Sequence, residues 1–274
     1  MQRATVAPID LDQYHRDGYA VVRGVVDPAD IDGLRAEVDR LGEALALDGH
    51  DWGSQVDWER DHLEGVAAHD LGNVAIARIE PLIDLSDAFA ALSRDPRVTA
   101  PAEAILGDRV DLFEDKLNLK LPGGSGFPWH QDWSCCWRAH TDQLVTCFVA
   151  LDDATDKNGP LEVIRGSHRP RVCLPFRGDA ENIDDPAFRA KTEGFEVDPA
   201  AIDAADLVRP RLTAGDMLVF DPYLLHSSDR NRSDRPRRTI IYTYHPVRLG
   251  RIYEYDDAVE RRAEAAARVR AHRA

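Results

Sequence analysis

The sequence predicts a mainly β domain, a sandwich or barrel, with helices ahead of it and behind it. Beyond Val110 the chain breaks into short strand-like runs punctuated by Gly, Pro, Asn and Asp, the texture of packed antiparallel sheets. Helical spacing is confined to the first hundred residues and the C-terminal end. The 274 residues, 43% of them hydrophobic, suffice for one large core, and β barrels of ~200–250 residues commonly form one unit. No repeat or Gly/Ser linker divides the chain. One domain is therefore expected, with residues 1–109 mostly helical, 110–250 forming the β core and 251–274 a C-terminal helix.

Each element has its own signal. Ile31, Leu34, Val38 and Leu41 recur at helical spacing behind Pro28, with Asp27 placed to cap. A second helical stretch over residues 86–106 should break near Asp95-Pro96, because proline cannot continue a helix begun before it. Residues 49–65 are polar, carry Trp52 and Trp58, and have no period; they read as a loop. Strand-like runs follow at 110–121, 143–151, 160–164, 217–220 and 239–245. The alanine- and arginine-rich tail over 256–272 reads as a solvated helix.

Composition excludes several function classes. A formal net charge of −15 and a pI near 5.0 repel phosphate backbones and anionic lipid, so neither nucleic acid nor membrane is an expected partner. No run approaches the ~20 apolar residues of a membrane span, and the N-terminus has no signal-peptide core. A cytoplasmic location follows as the expectation, with no protein partner implied. Cys135, Cys136, Cys147 and Cys173 match neither a zinc motif nor a disulfide framework and read as reduced, mostly buried thiols.

Four His-x-acid pairs occur, at His15/Asp17, His62/Glu64, His130/Asp132 and His140/Asp142, against about two expected by chance, so context must choose among them. On a strand, residues i and i+2 share a face and can reach one metal; on a helix they diverge by ~200°. His15/Asp17 falls in a helical stretch and His62/Glu64 in the polar loop. His130/Asp132 follows a strand-like run and the turn Pro-Gly-Gly-Ser-Gly, with Trp129 and Trp133 on the opposite face. His140/Asp142, just before a strand, is the competitor. A third ligand must come from a distant strand, and His226 follows the run Met217–Phe220 and its turn; alone it would read as an edge histidine. Arg237, eleven positions on, begins the next strand. Read in isolation it is a surface charge, but a guanidinium reaching into a barrel suits a carboxylate held by both of its edges. Two His and one carboxylate on one face of a metal, with positions left open, suit a non-haem iron(II) oxygenase.

The chain resembles the phytanoyl-CoA dioxygenase family of 2-oxoglutarate oxygenases along nearly its whole length. The resemblance is carried by Asp17-Gly-Tyr19 between a helix and a strand, by Trp129-His-Gln-Asp-Trp133, by Asn158-Gly-Pro-Leu with Gly166-Ser-His168, and by Gly215-Asp-Met-Leu-Val-Phe with His226-Ser-Ser228 and Arg235-Pro-Arg-Arg238. It implies a double-stranded β-helix, or jelly roll, and iron(II) held by His130, Asp132 and His226. It further implies 2-oxoglutarate gripped by Arg237 with support from Ser228 and Asn118, and O₂ as the oxidant. Phe148 falls where several members carry a tryptophan, which leaves it a packing role. His168 is read as structural. Asp132 is not the small residue of related halogenases, so hydroxylation is favoured over halogenation.

The leading expectation is an enzyme that oxidises a C–H bond of a small organic molecule, most simply by hydroxylation, converting 2-oxoglutarate and O₂ to succinate and CO₂. Epimerisation, cyclisation and desaturation are alternative outcomes on the same site, and a non-redox binding or sensing module is the alternative from another class. Trp52, Trp58, Trp133 and Trp137 are expected around the cavity mouth, with Lys116 facing an anionic or carbonyl group of the substrate. The segments 49–65 and 173–199 are expected to cover it.

Overall fold

The structure is a computed structural model that describes residues 8–47, 52, 55–59, 75–137, 140–175, 196–253, 255 and 259–271. Its helices are α1 (Leu11–Asp17), α2 (Pro28–Leu47), α3 (Asp87–Leu92), α4 (Pro96–Leu106) and α5 (Val259–Ala271). Its strands are β1 (Tyr19–Val22), β2 (Val56–Trp58), β3 (Ile76–Ile79), β4 (Val110–Lys120), β5 (Phe127–His130) and β6 (Val145–Ala150), then β7 (Leu161–Ile164), β8 (Leu207–Val208), β9 (Met217–Phe220), β10 (His226–Ser228) and β11 (Arg237–Pro246). They form two antiparallel sheets, ordered β1-β9-β6-β11-β4-β3-β2 and β5-β10-β7-β8, facing each other as a jelly roll.

Strand alternation builds two cores from one sheet. On β6, Val145, Cys147 and Val149 pack toward the helices, while Phe148 and Ala150 join Leu161, Val163, Leu218 and Ile241 between the sheets. On β11, Ile240, Tyr242 and Tyr244 face the helices, and the Tyr242 and Tyr244 hydroxyls donate to Phe89 O and Ser93 O at 2.7 Å. These bonds give both buried phenols the partner they need and fix α3 onto the large sheet.

The helix breaks fall where capping chemistry puts them. Asp95 accepts from Arg97 N and Pro96 opens α4, while Ser86 accepts from Phe89 N to start α3. Two expectations are corrected. Part of 49–65 is strand β2, paired with β3. The C-terminal helix is not simply solvated: Ala265, Ala266 and Val269 are buried, and its face packs on the helical core. Among the described residues, no helix is long and apolar enough to cross a membrane.

Gly159 illustrates how a turn places the site. Its φ is +66°, and a Cβ there would meet Asp229 O at 2.1 Å, so only glycine lets this turn lie against the chain leaving β10. Asn158 holds the same turn, accepting from Thr155 N and donating to Asp153 O.

Candidate metal and cosubstrate site

His130 ends β5 and His226 begins β10, and the two are direct partners across the small sheet. That register brings the imidazoles together, tilted by 50° with ring centroids 4.1 Å apart. Asp132, two residues past His130, brings Oδ1 to 3.5 Å from His130 Nε2 and 3.7 Å from His226 Nε2. Ligand atoms of the three side chains lie within 4.8 Å of one another.

The backbone orients both rings. His130 Nδ1 lies 2.7 Å from Pro128 O, and His226 Nδ1 lies 2.9 Å from Leu224 O. A carbonyl oxygen only accepts, so each Nδ1 carries the proton and each Nε2 lone pair is left for the centre of the cluster. This is the outer-shell arrangement found behind metal-binding histidines. Burial and the neighbouring His130 push His226 down to about 4, keeping it neutral. Burial would raise Asp132, but His226 and His130 outweigh it and hold the carboxyl at about 2. A neutral His226 imidazole and an ionised Asp132 carboxylate are protonation states that suit a divalent cation.

Gln131, between the ligands, is a residue that sequence reasoning missed. Its buried amide donates to Tyr223 O at 2.8 Å and Val172 O at 3.2 Å and accepts from Leu174 N at 2.8 Å. One side chain thus ties the His130–Asp132 segment to the approach to His226.

The cavity beside the cluster is lined by both sheets, including Asn118, Phe148, Ser228 and Arg237. Arg237 is 4% exposed. Its Nη1 donates to Thr239 Oγ1 at 3.2 Å, and its Nε, also buried, has no hydrogen-bond partner. The guanidinium lies 5.8 Å from the Phe148 ring, so Phe148 shapes its surroundings as well as packing. Burial lowers Arg237 to about 10, still a cation at neutral pH. Arg238 faces the other way, into Asp152 and Asp39. Ser228 Oγ accepts from Lys120 Nζ at 2.7 Å. Lys120, which pairs with Arg237 across β4 and β11, was also missed; burial and the charge of Arg237 push it down to about 6.

The remaining expected residues divide. Trp137 and Lys116 line the cavity, but Lys116 is closely ion-paired with Glu114 and is therefore no free cation. Trp133 is corrected: it opens a π-helical turn, Trp133–Trp137, and stacks on Tyr223 at 4.7 Å instead of lining the cavity. Trp52 is corrected too: it is 6% exposed in the helical core and donates to Leu45 O. Trp58 packs against the same core. His140 sits edge-on to Phe113 and Asp142 pairs with Arg171; among the described residues this pair joins no group of metal-ligand side chains. His15/Asp17 is helical as expected, and His62/Glu64 lies outside the described residues. His168 Nε2 contacts His15 O, away from the cluster. Cys147 is a buried thiol that burial pushes up, whereas Cys173 is only partly buried. Most of the covering segments 49–65 and 173–199 lies outside the described residues.

Residues 14–239 match the phytanoyl-CoA dioxygenase (PhyH) family. L-proline trans-4-hydroxylase of Streptomyces griseoviridis is 32% identical over 216 residues, covering 69% of this chain and 80% of that protein. EctD from S. alaskensis, solved with bound Fe, is 26% identical with a TM-score of 0.62, covering 87% of this chain and 76% of that one. The same enzyme with 2-oxoglutarate and 5-hydroxyectoine is 25% identical with a TM-score of 0.63, covering 90% and 86%.

Proposed function

The chain belongs to the phytanoyl-CoA dioxygenase family, a non-haem iron(II) and 2-oxoglutarate dioxygenase by class, and from that premise we propose how its own residues do the work. His130, Asp132 and His226 hold the iron, and Arg237 with Ser228 takes the distal carboxylate of 2-oxoglutarate. Asn118 lies along the same wall. The reaction is hydroxylation of a C–H bond in a small organic substrate.

The observation that carries this reading is the pairing of two incomplete sites in one cavity: a ligand cluster with both Nε2 lone pairs turned inward, and a buried guanidinium with an unfilled donor. An unsatisfied buried donor is costly, and a bidentate carboxylate would satisfy it. Iron, 2-oxoglutarate and O₂ together supply the oxidising power; the protein contributes position and dryness. Pro128 O and Leu224 O hold the imidazole protons at Nδ1. Gln131 sets the distance between the ligand segments. Phe148, Phe220 and Leu161 present apolar surface that excludes water.

A turnover assay tests the reading. Purified protein given iron(II), 2-oxoglutarate and a library of small organic compounds should form succinate, with stimulation by particular compounds and a product 16 mass units heavier. A product of unchanged mass or two units lighter would redirect the outcome to epimerisation or desaturation. Absence of succinate under every condition would favour the non-redox reading.

A further inference from the structure

The two ends of the cavity differ in how their cations are matched. At the far end, Lys116 lies against Glu114, and Arg78 is 3.0 Å from Glu80 and 2.6 Å from Asp57, so the charged wall of β4 and β3 is compensated there. Roughly 13 Å further along β4, Lys120 closes the strand as the Cα partner of Arg237. Both are buried, at 3% and 4% exposure, and neither has a carboxylate within ion-pair distance among the described residues. The charged groups that act on Lys120 are Arg237, Glu59, Asp229 and Glu162. The three acids are engaged elsewhere: Glu59 with Ser125 N, Asp229 with Arg232 and Glu162 with Arg209.

Lys120 does not line the cavity; Ser228 does, and Lys120 acts on the cavity through that hydroxyl. Its Nζ donates to Ser228 Oγ at 2.7 Å and to Asp229 O at 2.6 Å. An ammonium has three donors and no acceptor, so the Ser228 proton cannot point back along the bond. Among the described residues that proton has no other acceptor. Together with Arg237 Nε it makes two unfilled donors at one end of the cavity. A neutral Lys120 amine would allow the bond to reverse: its lone pair would take the Ser228 proton and turn the hydroxyl away from the cavity.

We propose that Lys120 is a positioning residue for the cosubstrate: its ammonium holds Ser228 Oγ from behind and turns the hydroxyl proton to the carboxylate that Arg237 binds. Identifying that carboxylate as the distal one of 2-oxoglutarate rests on the cosubstrate reading above. Without an anion at this end, burial and the charge of Arg237 push Lys120 down to about 6. A carboxylate against Ser228 and Arg237 offsets that repulsion and favours the ammonium. Binding at slightly alkaline pH therefore takes one proton from solvent onto Lys120 Nζ, and no other bond changes.

The test is calorimetric titration of the anaerobic, iron(II)-loaded full chain at slightly alkaline pH, in two buffers of different protonation enthalpy. The probes are 2-oxoglutarate and 2-oxopentanoate, which carries a methyl in place of the distal carboxylate. 2-Oxoglutarate should bind the parent with net proton uptake, read from heats that differ between the buffers. Lys120→Met should bind it at least tenfold more weakly and without that uptake, while its affinity for 2-oxopentanoate stays within twofold of the parent's. Ser228→Ala cuts the same link, so the double variant should be no weaker than Lys120→Met within twofold. A thermal melt confirms the fold; Lys120→Gln, whose amide can still donate to Asp229 O, supplies the second variant if Lys120→Met does not fold. Unchanged 2-oxoglutarate affinity in the Lys120 variant, an equal loss for both oxo acids, or the same proton uptake in parent and variant would overturn the proposal and leave the cosubstrate reading intact. Failure of the parent itself to bind 2-oxoglutarate would sink the cosubstrate reading and the proposal with it.

Discussion

The two ends of the cavity both bury a cation, and they treat it oppositely. Arg237 has no carboxylate within ion-pair distance among the described residues, whereas Lys116 is pressed against Glu114. The first end is incomplete without an anion, so ligand affinity sits in the cation itself. The second is already compensated, and a ligand there must fit around existing ion pairs. A buried charge thus marks a binding site by what remains unfilled around it, more than by its sign.

Substitution of the two neighbouring arginines breaks this contrast most forcefully. Arg237→Ala should raise the 2-oxoglutarate requirement by roughly 2–5 kcal/mol, the cost of leaving a buried carboxylate unpaired, with iron affinity nearly unchanged. Arg238→Ala, which removes the pair with Asp152, should leave the 2-oxoglutarate requirement alone and lower the melting temperature. Titrating 2-oxoglutarate in both variants checks this; equal losses would mean that the pair acts through general surface charge.

The pH dependence of stability should separate the ends by sign. Glu114 is raised to about 7 in the fold from an ordinary carboxylate value of about 4.3. Between those values the folded state holds more protons, so its contribution to stability falls as pH rises from about 4.3 to 7. Lys120 is lowered to about 6 from about 10.4. There the unfolded state holds more protons, and the contribution rises with pH from about 6 to 10. Urea unfolding across pH should find the first slope flattened in Glu114→Gln and the second in Lys120→Met. The same slope in a variant and its parent would contradict the burial account at that end.

A tryptophan pair sharpens the contrast between wall and core. Trp52→Ala should cost about 3–5 kcal/mol of stability, as large-to-small core changes do, with the 2-oxoglutarate requirement of the folded fraction unchanged. Trp137→Phe, which removes the donor to Glu114, should cost about 1–3 kcal/mol, the usual penalty for an unpaired buried acceptor. Denaturant midpoints and substrate-dependent succinate formation distinguish the two.

How much of this was legible in the sequence depended on whether a feature was local. His130 and Asp132 stand two apart in one motif, and the strand period of two puts Arg237 and Arg238 on opposite faces. The breaks at Ser86 and Asp95 were written in capping residues. Of the charged wall only Lys116 was expected at the cavity; Glu114 and Lys120 were not legible, because they alternate with Phe113, Leu117 and Leu119, and such a strand normally turns its polar face to water. Here the second sheet covers that face, and nothing within β4 announces it. Trp52 misled for the converse reason: polar neighbours suggested a loop, while its indole closes the helical core. The C-terminal helix hid three buried positions, Ala265, Ala266 and Val269, in a sequence whose arginines suggested solvent.

Metal stoichiometry tests the central claim most directly. Protein loaded anaerobically with iron(II) and desalted should retain one iron per chain by elemental analysis. His130→Ala, Asp132→Ala and His226→Ala should each lose it, while His140→Ala retains it. Retention of iron by the His226 or His130 variant, with loss in His140→Ala, would contradict the assignment of the site.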